Sequence, residues 1–355
     1  MRVRVLSVLP ATLAGWLVVS IGFGVGIPRA SGSVLGATFA VIAVAAGVAL
    51  VAIAGAVLFR ATRGWARLIV LPWFVAVVVG VYSLSIALAA VYPPHPTSSI
   101  EAPPGATRVD MTSADGVTLS GWYLPSRNGA AVVLRHGAGS TTADTIAHAQ
   151  ILHDAGYGVL ATDARGHGDS GGQGMDLGWF GELDIRAAIE ALAERVEVDP
   201  RRIGVVGLSM GGEEAIGAAG VDERVRAVVA EGATGRTAAD KAWLADEYGA
   251  AGVVQGVLDT ITYGIVDLLT PANSPPTLEE SVRDSLPTPL LLIAAGDVPD
   301  EGSVAARLAA VDPARAQVWV VPGAGHVSAL RAEPAEWRTR VVDFLDVALT
   351  EGGAS

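Results

Sequence analysis

Residues 203–212 read IGVVGLSMGG, and the reading of this stretch decides the fold. Ile203, Val205 and Val206 form a short β-branched apolar run, which marks a buried strand. It ends in Gly207-Leu208-Ser209-Met210-Gly211, with a helix-compatible stretch beyond. Strand, tight turn, helix is the setting in which G-x-S-x-G lifts a serine hydroxyl to the open edge of a parallel sheet. Small residues flank the serine because its backbone is strained and the following helix must pack close.

The pentapeptide alone is weak evidence. With 43 glycines in 355 residues, chance supplies about 0.3 such matches. A second match stands at Gly168-Asp169-Ser170-Gly171-Gly172, whose GDSGG wording mimics the nucleophile segment of trypsin-like proteases. That fold needs an all-β chain, whereas strands and helices alternate here. Context selects Ser209.

Working outward, Arg108–Thr112 and Val117–Leu124 flank Ala114-Asp115-Gly116 and predict an opening antiparallel hairpin. Further apolar strands are expected at Ala130–Arg135, Gly158–Thr162, Val225–Ala230, Pro289–Ala294 and Gln317–Val321. Helical patterns occupy Thr142–Ala155, Trp179–Val196, Val304–Ala310 and Pro334–Leu349. This alternation predicts an α/β domain over residues 107–350, a mostly parallel sheet with helices on both faces. One stretch breaks the rhythm. Between Gly232 and Leu286 only helical patterns occur, at Asp240–Gly249 and Gln255–Leu269. Residues 233–286 are therefore expected to form a lid or substrate wall over the strand ends, or else an ordinary connecting helix pair.

The first 92 residues have a different character. Val5–Pro28, Val34–Phe59 and Leu68–Tyr92 are apolar, nearly uncharged and long enough to cross the hydrocarbon of a membrane. No acidic, basic or histidine residue lies within the three expected transmembrane helices, which favours an anchor over a transporter. Gly36, Ala40, Gly47, Ala52 and Ala56 recur along the second, as a close-packing stripe or as mere composition. Arg2 and Arg4 precede the first span, Arg60, Arg63 and Arg67 fill the second loop, and Arg29 stands alone in the first. The positive-inside rule then puts the N-terminus in the cytoplasm and the domain after Tyr92 outside the cell membrane. A cleaved signal peptide ending near Ala30 is the rival reading, and it would leave the three-arginine loop on the wrong side. A proline-rich linker at 93–106 joins the anchor to the domain.

Charge sharpens this division. Residues 1–95 hold six arginines and no acid, leaving 18 basic against 36 acidic residues in the remainder. So acidic a domain argues against nucleic acid as a partner. The chain has no cysteine, so disulfides, thiolate catalysis and cysteine-based metal sites are excluded.

An acyl-transfer serine needs a base, an acid to orient that base, and donors for the oxyanion. Of six histidines, His95 is in the linker, and His148 and His153 belong to a helix. His136 and His167 sit in glycine-rich turns. His326 follows the last strand, on the carboxyl edge where ligands of such sheets bind, and is the expected base. The acid should come from Gly296-Asp297-Val298-Pro299-Asp300-Glu301. Asp300 is the first choice, with Glu301 and Asp297 as alternatives. The oxyanion donors are expected to be the backbone amides of Met210 and of Ala138, with Gly139 as the alternative to the latter.

Four segments, HGAG at 136–139, DARGHGDS at 163–170, GLSMGG at 207–212 and GAGH at 323–326, resemble those of α/β-hydrolases. The similarity covers about Thr107–Leu349 and is nearest the branch of serine aminopeptidases and monoglyceride-lipase-like esterases; it does not extend to the apolar N-terminal third. It implies an α/β-hydrolase fold, a scaffold role for His167 and Ser170, and hydrolysis without metal or organic cofactor. In that family the acid usually stands three residues after a glycine, and here Gly296 plus three is Pro299. The expectation is a membrane-anchored serine hydrolase acting on a small acyl ester or lipid-like substrate. A peptidase or acyltransferase with the same residues, or a catalytically silent binding module, are the alternatives.

Overall fold

The computed structural model describes residues 7–30, 34–97, 102–285 and 287–351. Arg2 and Arg4, on which part of the orientation reading rests, lie outside them, as does Leu286. The chain forms two compact units: Met1–Pro94 with Ala242–Pro271, and His95–Lys241 with Ala272–Ser355.

The first unit is helical. Helix α1 runs from Val8 to Ala30 through a π-helical turn at Gly22–Gly26, α2 covers Val34–Ala61, and α3 covers Val70–Val91 after a 3₁₀ turn at Gly64–Ile69. Each is long and apolar enough to cross a membrane, by length and composition. Helices α1 and α2 touch backbone to backbone. A Cβ on Gly47 would stand 2.5 Å from the Val19 nitrogen and 2.9 Å from the Gly15 oxygen, so only small residues fit. Of the stripe read from the sequence, Ala40 and Gly47 lie in this contact, whereas Ala52 is exposed. Arg29 donates to the carbonyls of Tyr92 (2.9 Å) and Pro93 (3.0 Å), placing the ends of α1 and α3 together.

The same unit contains two later helices, α7 (Leu244–Tyr248) and α8 (Ala250–Leu269), with α8 packed on α3. They fall in the stretch 233–286 expected as a lid or a connecting helix pair. Ala242–Pro271 groups with the N-terminal helices, and α8 is long and apolar enough to be the fourth such helix among the described residues.

The second unit is an eight-stranded sheet in the order β1-β2-β4-β3-β5-β6-β7-β8. Its strands are β1 (Thr107–Thr112), β2 (Thr118–Leu124), β3 (Ala131–Arg135), β4 (Gly158–Thr162), β5 (Ile203–Leu208), β6 (Val225–Glu231), β7 (Leu290–Ala295) and β8 (Ala316–Val321). Strands β1 and β2 form the expected hairpin, β2 pairs antiparallel with β4, and every other pair is parallel. Every residue of β3, β4, β5 and β7 is buried. Such continuous apolar runs are required where helices cover both faces.

The covering helices are α4 (Ile146–Asp154), α5 (Gly181–Ala193), α6 (Met210–Val221), α9 (Leu278–Asp284), α10 (Pro299–Val311), α11 (Ala329–Ala332) and α12 (Pro334–Asp346). Helix α5 shows why they form. Glu182 and Asp184 complement the positive end of its dipole, while Ile185, Ala188, Ile189 and Leu192 fall on one buried stripe. Truncating Leu192 to Ala would cost about 2–5 kcal/mol through the cavity left behind. The parallel strands all end on one edge, and that edge collects the loops after β3, β5, β6, β7 and β8.

Candidate active site

Ser209 sits between β5 and α6 with φ 54° and ψ −124°. A positive φ in a residue with a Cβ stores about 1–3 kcal/mol of strain. The turn survives because neighbours hold it. The Ser209 amide donates to the Glu231 carbonyl (2.7 Å), and a Cβ on Gly207 would lie 2.1 Å from the Gly211 oxygen. The glycines of the motif are thus a steric demand of the elbow.

His326, in the loop after β8, meets the serine. Its Nε2 lies 2.8 Å from Ser209 Oγ, and its Nδ1 lies 2.6 Å from Glu301 Oε1. Glu301 is buried in the first turn of α10, and its second oxygen accepts from the Ala295 amide at 2.8 Å. The hydrogen bond to Glu301 holds the His326 pKa above its ordinary value of 6.5, with the charges of Glu213 and Glu231 adding to it. With Nδ1–H donated to the carboxylate, Nε2 is left as an acceptor facing the serine hydroxyl.

The carboxylate on His326 is therefore Glu301, the alternative, and not Asp300, the first choice from the sequence. The reason is helical geometry. Asp300 and Glu301 are consecutive in the first turn of α10, so their side chains diverge by about 100°. Only one of them can face the strand edge. Asp297 is exposed in the preceding loop, where its amide donates to the Ala324 carbonyl at 3.0 Å.

Residues 126–262 match the protein-family model described as serine aminopeptidase, S33. The Pyrococcus furiosus esterase Pf2001 superimposes with a TM-score of 0.56 at 25% identity, covering 73% of this chain and 98% of that one. The chain belongs to the α/β-hydrolase superfamily. Among curated relatives, the uncharacterized protein Rv2307c of Mycobacterium tuberculosis is 36% identical over 129 residues, which is 36% of this chain and 45% of that protein. The thiohydrolase aneE of Aspergillus aculeatus is 35% identical over 132 residues, 35% of this chain and 40% of that one. The chain thus spans less than half the length of these two curated relatives in its match to them.

The turn after β3 stands against the elbow. A Cβ on Gly137 would lie 2.9 Å from Ser209 Cβ. The Gly139 amide donates to His167 Nε2 at 3.1 Å, which takes it out of the competition for an oxyanion. Ala138 beside it is exposed. Met210 opens α6, so its amide is one of the first-turn donors that no helical carbonyl satisfies.

The remaining sequence candidates are scaffold. His136 accepts from the Ala164 amide (2.9 Å), and burial pushes its pKa down to about 3. His167 bonds the Arg165 carbonyl through Nδ1 (2.9 Å), and burial lowers its pKa as well. Ser170 is buried, donating to the Asp163 carbonyl (2.7 Å) and accepting from the Ser120 amide (2.9 Å). His95 Nε2 lies 2.8 Å from the Gly168 carbonyl, and His148 is buried with its ring edge-on to Trp337.

Three positions escaped the sequence reading. Glu231, the last residue of β6, accepts from the Ala329 amide (2.9 Å) and Trp337 Nε1 (3.2 Å), tying down the helices that follow the His326 loop. Glu213 accepts from the amides of Thr234 (3.0 Å) and Gly235 (2.9 Å), fixing the chain that leaves β6. Gly232 supplies bare backbone behind the imidazole: a Cβ there would stand 3.0 Å from His326 Cε1. The only signal for the acids was a charge ending or interrupting an apolar run. Beneath the elbow, Arg135 pairs with Glu214 (2.6 Å) and Arg165 with Asp184 (2.5 Å), all buried. Removing one partner of such a network costs about 3–5 kcal/mol.

Proposed function

We propose that this α/β-hydrolase is a membrane-anchored serine hydrolase that cleaves a carboxylic ester through an acyl-enzyme. The observation that carries the reading is the continuous hydrogen-bonded line from Ser209 Oγ through the His326 ring to Glu301, 2.8 and 2.6 Å long. His326 Nε2 takes the serine proton as Oγ attacks the carbonyl carbon. Glu301 stabilises the imidazolium that results and keeps the ring in its working tautomer. The Met210 and Ala138 amides receive the oxyanion, each worth a few kcal/mol. His326 then returns its proton to the leaving alkoxide. Water, activated by the same nitrogen, releases the acid.

The similarity to the Pyrococcus esterase supports the ester assignment, and the similarity to the Aspergillus thiohydrolase supports a hydrolase. Helices α1, α2 and α3, each long and apolar enough to span a bilayer, support anchoring of residues 1–92 in the cell membrane, with the second unit on the outer side. An anchored enzyme meets lipid-like acyl esters at high local concentration, which favours an apolar substrate.

The test is hydrolysis of p-nitrophenyl esters of graded acyl length by the full-length protein in detergent or nanodiscs. Turnover that Ser209→Ala abolishes, with a preference for medium or long chains, is the expected result. Absence of turnover on every ester, with cleavage of aminoacyl amides instead, would replace the esterase by a peptidase. Protease accessibility of the 93–106 linker in spheroplasts checks the orientation.

A further inference from the structure

Helix α8 carries an unspent surface. At about 100° per residue, Val253, Val254, Val257, Ile261 and Leu268 fall within an arc of about 100° and are exposed; Val254, Val257 and Leu268 are 60%, 54% and 84% accessible. No charged side chain shares this arc. The opposite face holds Gly252, Asp259, Thr262, Tyr263 and Val266, all buried, and there Asp259 accepts from Gln255 Nε2 at 2.9 Å. Along this arc apolar residues face outward and Asp259 faces inward, while the exposed Asp267 lies just beyond the edge of the arc.

Its surroundings indicate what covers that face. Helix α8 belongs to the same compact unit as the three apolar helices and packs on α3. Its exposed face thus continues a surface that, on the anchored reading, already meets lipid. Length and composition alone allow it to cross the bilayer, but connectivity does not. Strands β6 and β7, which precede and follow it, pair directly in one sheet, Val228 with Leu290. The two ends of the intervening segment must therefore lie on one side of the membrane. A crossing would need a return through hydrocarbon by Thr270–Thr277, which has no regular secondary structure, and unpaired backbone is not tolerated there.

We infer that α8 lies in the membrane interface as an in-plane helix, its Val253–Leu268 face buried among the acyl chains of the leaflet nearest the hydrolase unit. This rests on the anchored reading and adds a second, non-spanning attachment that holds the enzyme against the lipid surface.

The absence of native cysteine makes the test direct. Single-cysteine variants Val257→Cys on the apolar arc, Val41→Cys in α2, and Glu247→Cys and Asn273→Cys at the two ends are bimane-labelled in the full-length protein. They are reconstituted in phosphatidylcholine vesicles with or without acyl-chain doxyl lipid. Quenching at 257 comparable with that at 41 is expected. In spheroplasts, impermeant maleimide should label 247 and 273 to the same extent. Quenching at 41 but not at 257 overturns the in-plane helix and leaves the anchor intact, whether the face turns out to be a water-facing lid or, by cross-linking through 257, a contact between two copies. No quenching at either position overturns the anchored reading itself. Labelling of 247 and 273 from opposite sides would make α8 a true span.

Discussion

The chain writes G-x-S-x-G twice, and the two copies end in opposite circumstances. At Gly207–Gly211 the serine has a positive φ and its hydroxyl lies 2.8 Å from an imidazole at the sheet edge. At Gly168–Gly172 the serine is buried, its hydroxyl spent on the Asp163 carbonyl and the Ser120 amide. The letters are the same; what differs is what precedes and follows. A strand before and a helix after force the strained elbow, whereas a loop on both sides allows the hydroxyl to act as a backbone clamp. A nucleophile is thus made by the elements around it and not by the pentapeptide.

The widest gap between the two serines should appear on mutation. Ser209→Ala is expected to lower kcat by roughly 10⁴–10⁶-fold with the melting temperature unchanged or raised, since the strained serine contributes chemistry alone. Ser170→Ala should do the reverse, leaving kcat within a few-fold while costing about 1–3 kcal/mol as the Ser120 amide loses its acceptor. Steady-state kinetics and thermal denaturation on both variants would break the contrast if the two profiles coincided.

The next largest effect separates the neighbouring acids. Glu301→Gln is expected to reduce kcat by about 10²–10⁴-fold, because the amide no longer stabilises the imidazolium. Asp300→Asn should remain near wild type. The pH profile sharpens the same point. His326 must be neutral to act, so activity falls as pH drops through its pKa, which Glu301 holds above 6.5. Loss of that carboxylate should move the acid limb of kcat/KM to lower pH. An unmoved limb would mean another group titrates there. Smaller again is Gly137→Ala, whose methyl would come within 2.9 Å of Ser209 Cβ. A displaced nucleophile costs about 10–100-fold in kcat, with little change in KM.

Much of this was legible before any coordinates. The elbow, His326 and the alternation of strands and helices are local patterns, and the structure brings Ser209 and His326 together across 117 positions of sequence. The choice between Asp300 and Glu301 was not legible, since it depends on which side of the first turn of α10 faces the sheet edge. Glu231 and Glu213 were invisible for a related reason: their partners, Ala329 and Thr234, are remote in sequence or lie in irregular chain. Helix α8 was read as helical, yet its grouping with the first 94 residues depends on tertiary packing that periodicity does not encode.

The account rests on Ser209 as the nucleophile, and covalent trapping tests it most directly. Full-length protein treated with a fluorophosphonate and digested for peptide mapping should carry one adduct, on Ser209, and Ser209→Ala should carry none. An adduct on Ser170, or undiminished labelling of the Ser209→Ala protein, would contradict it.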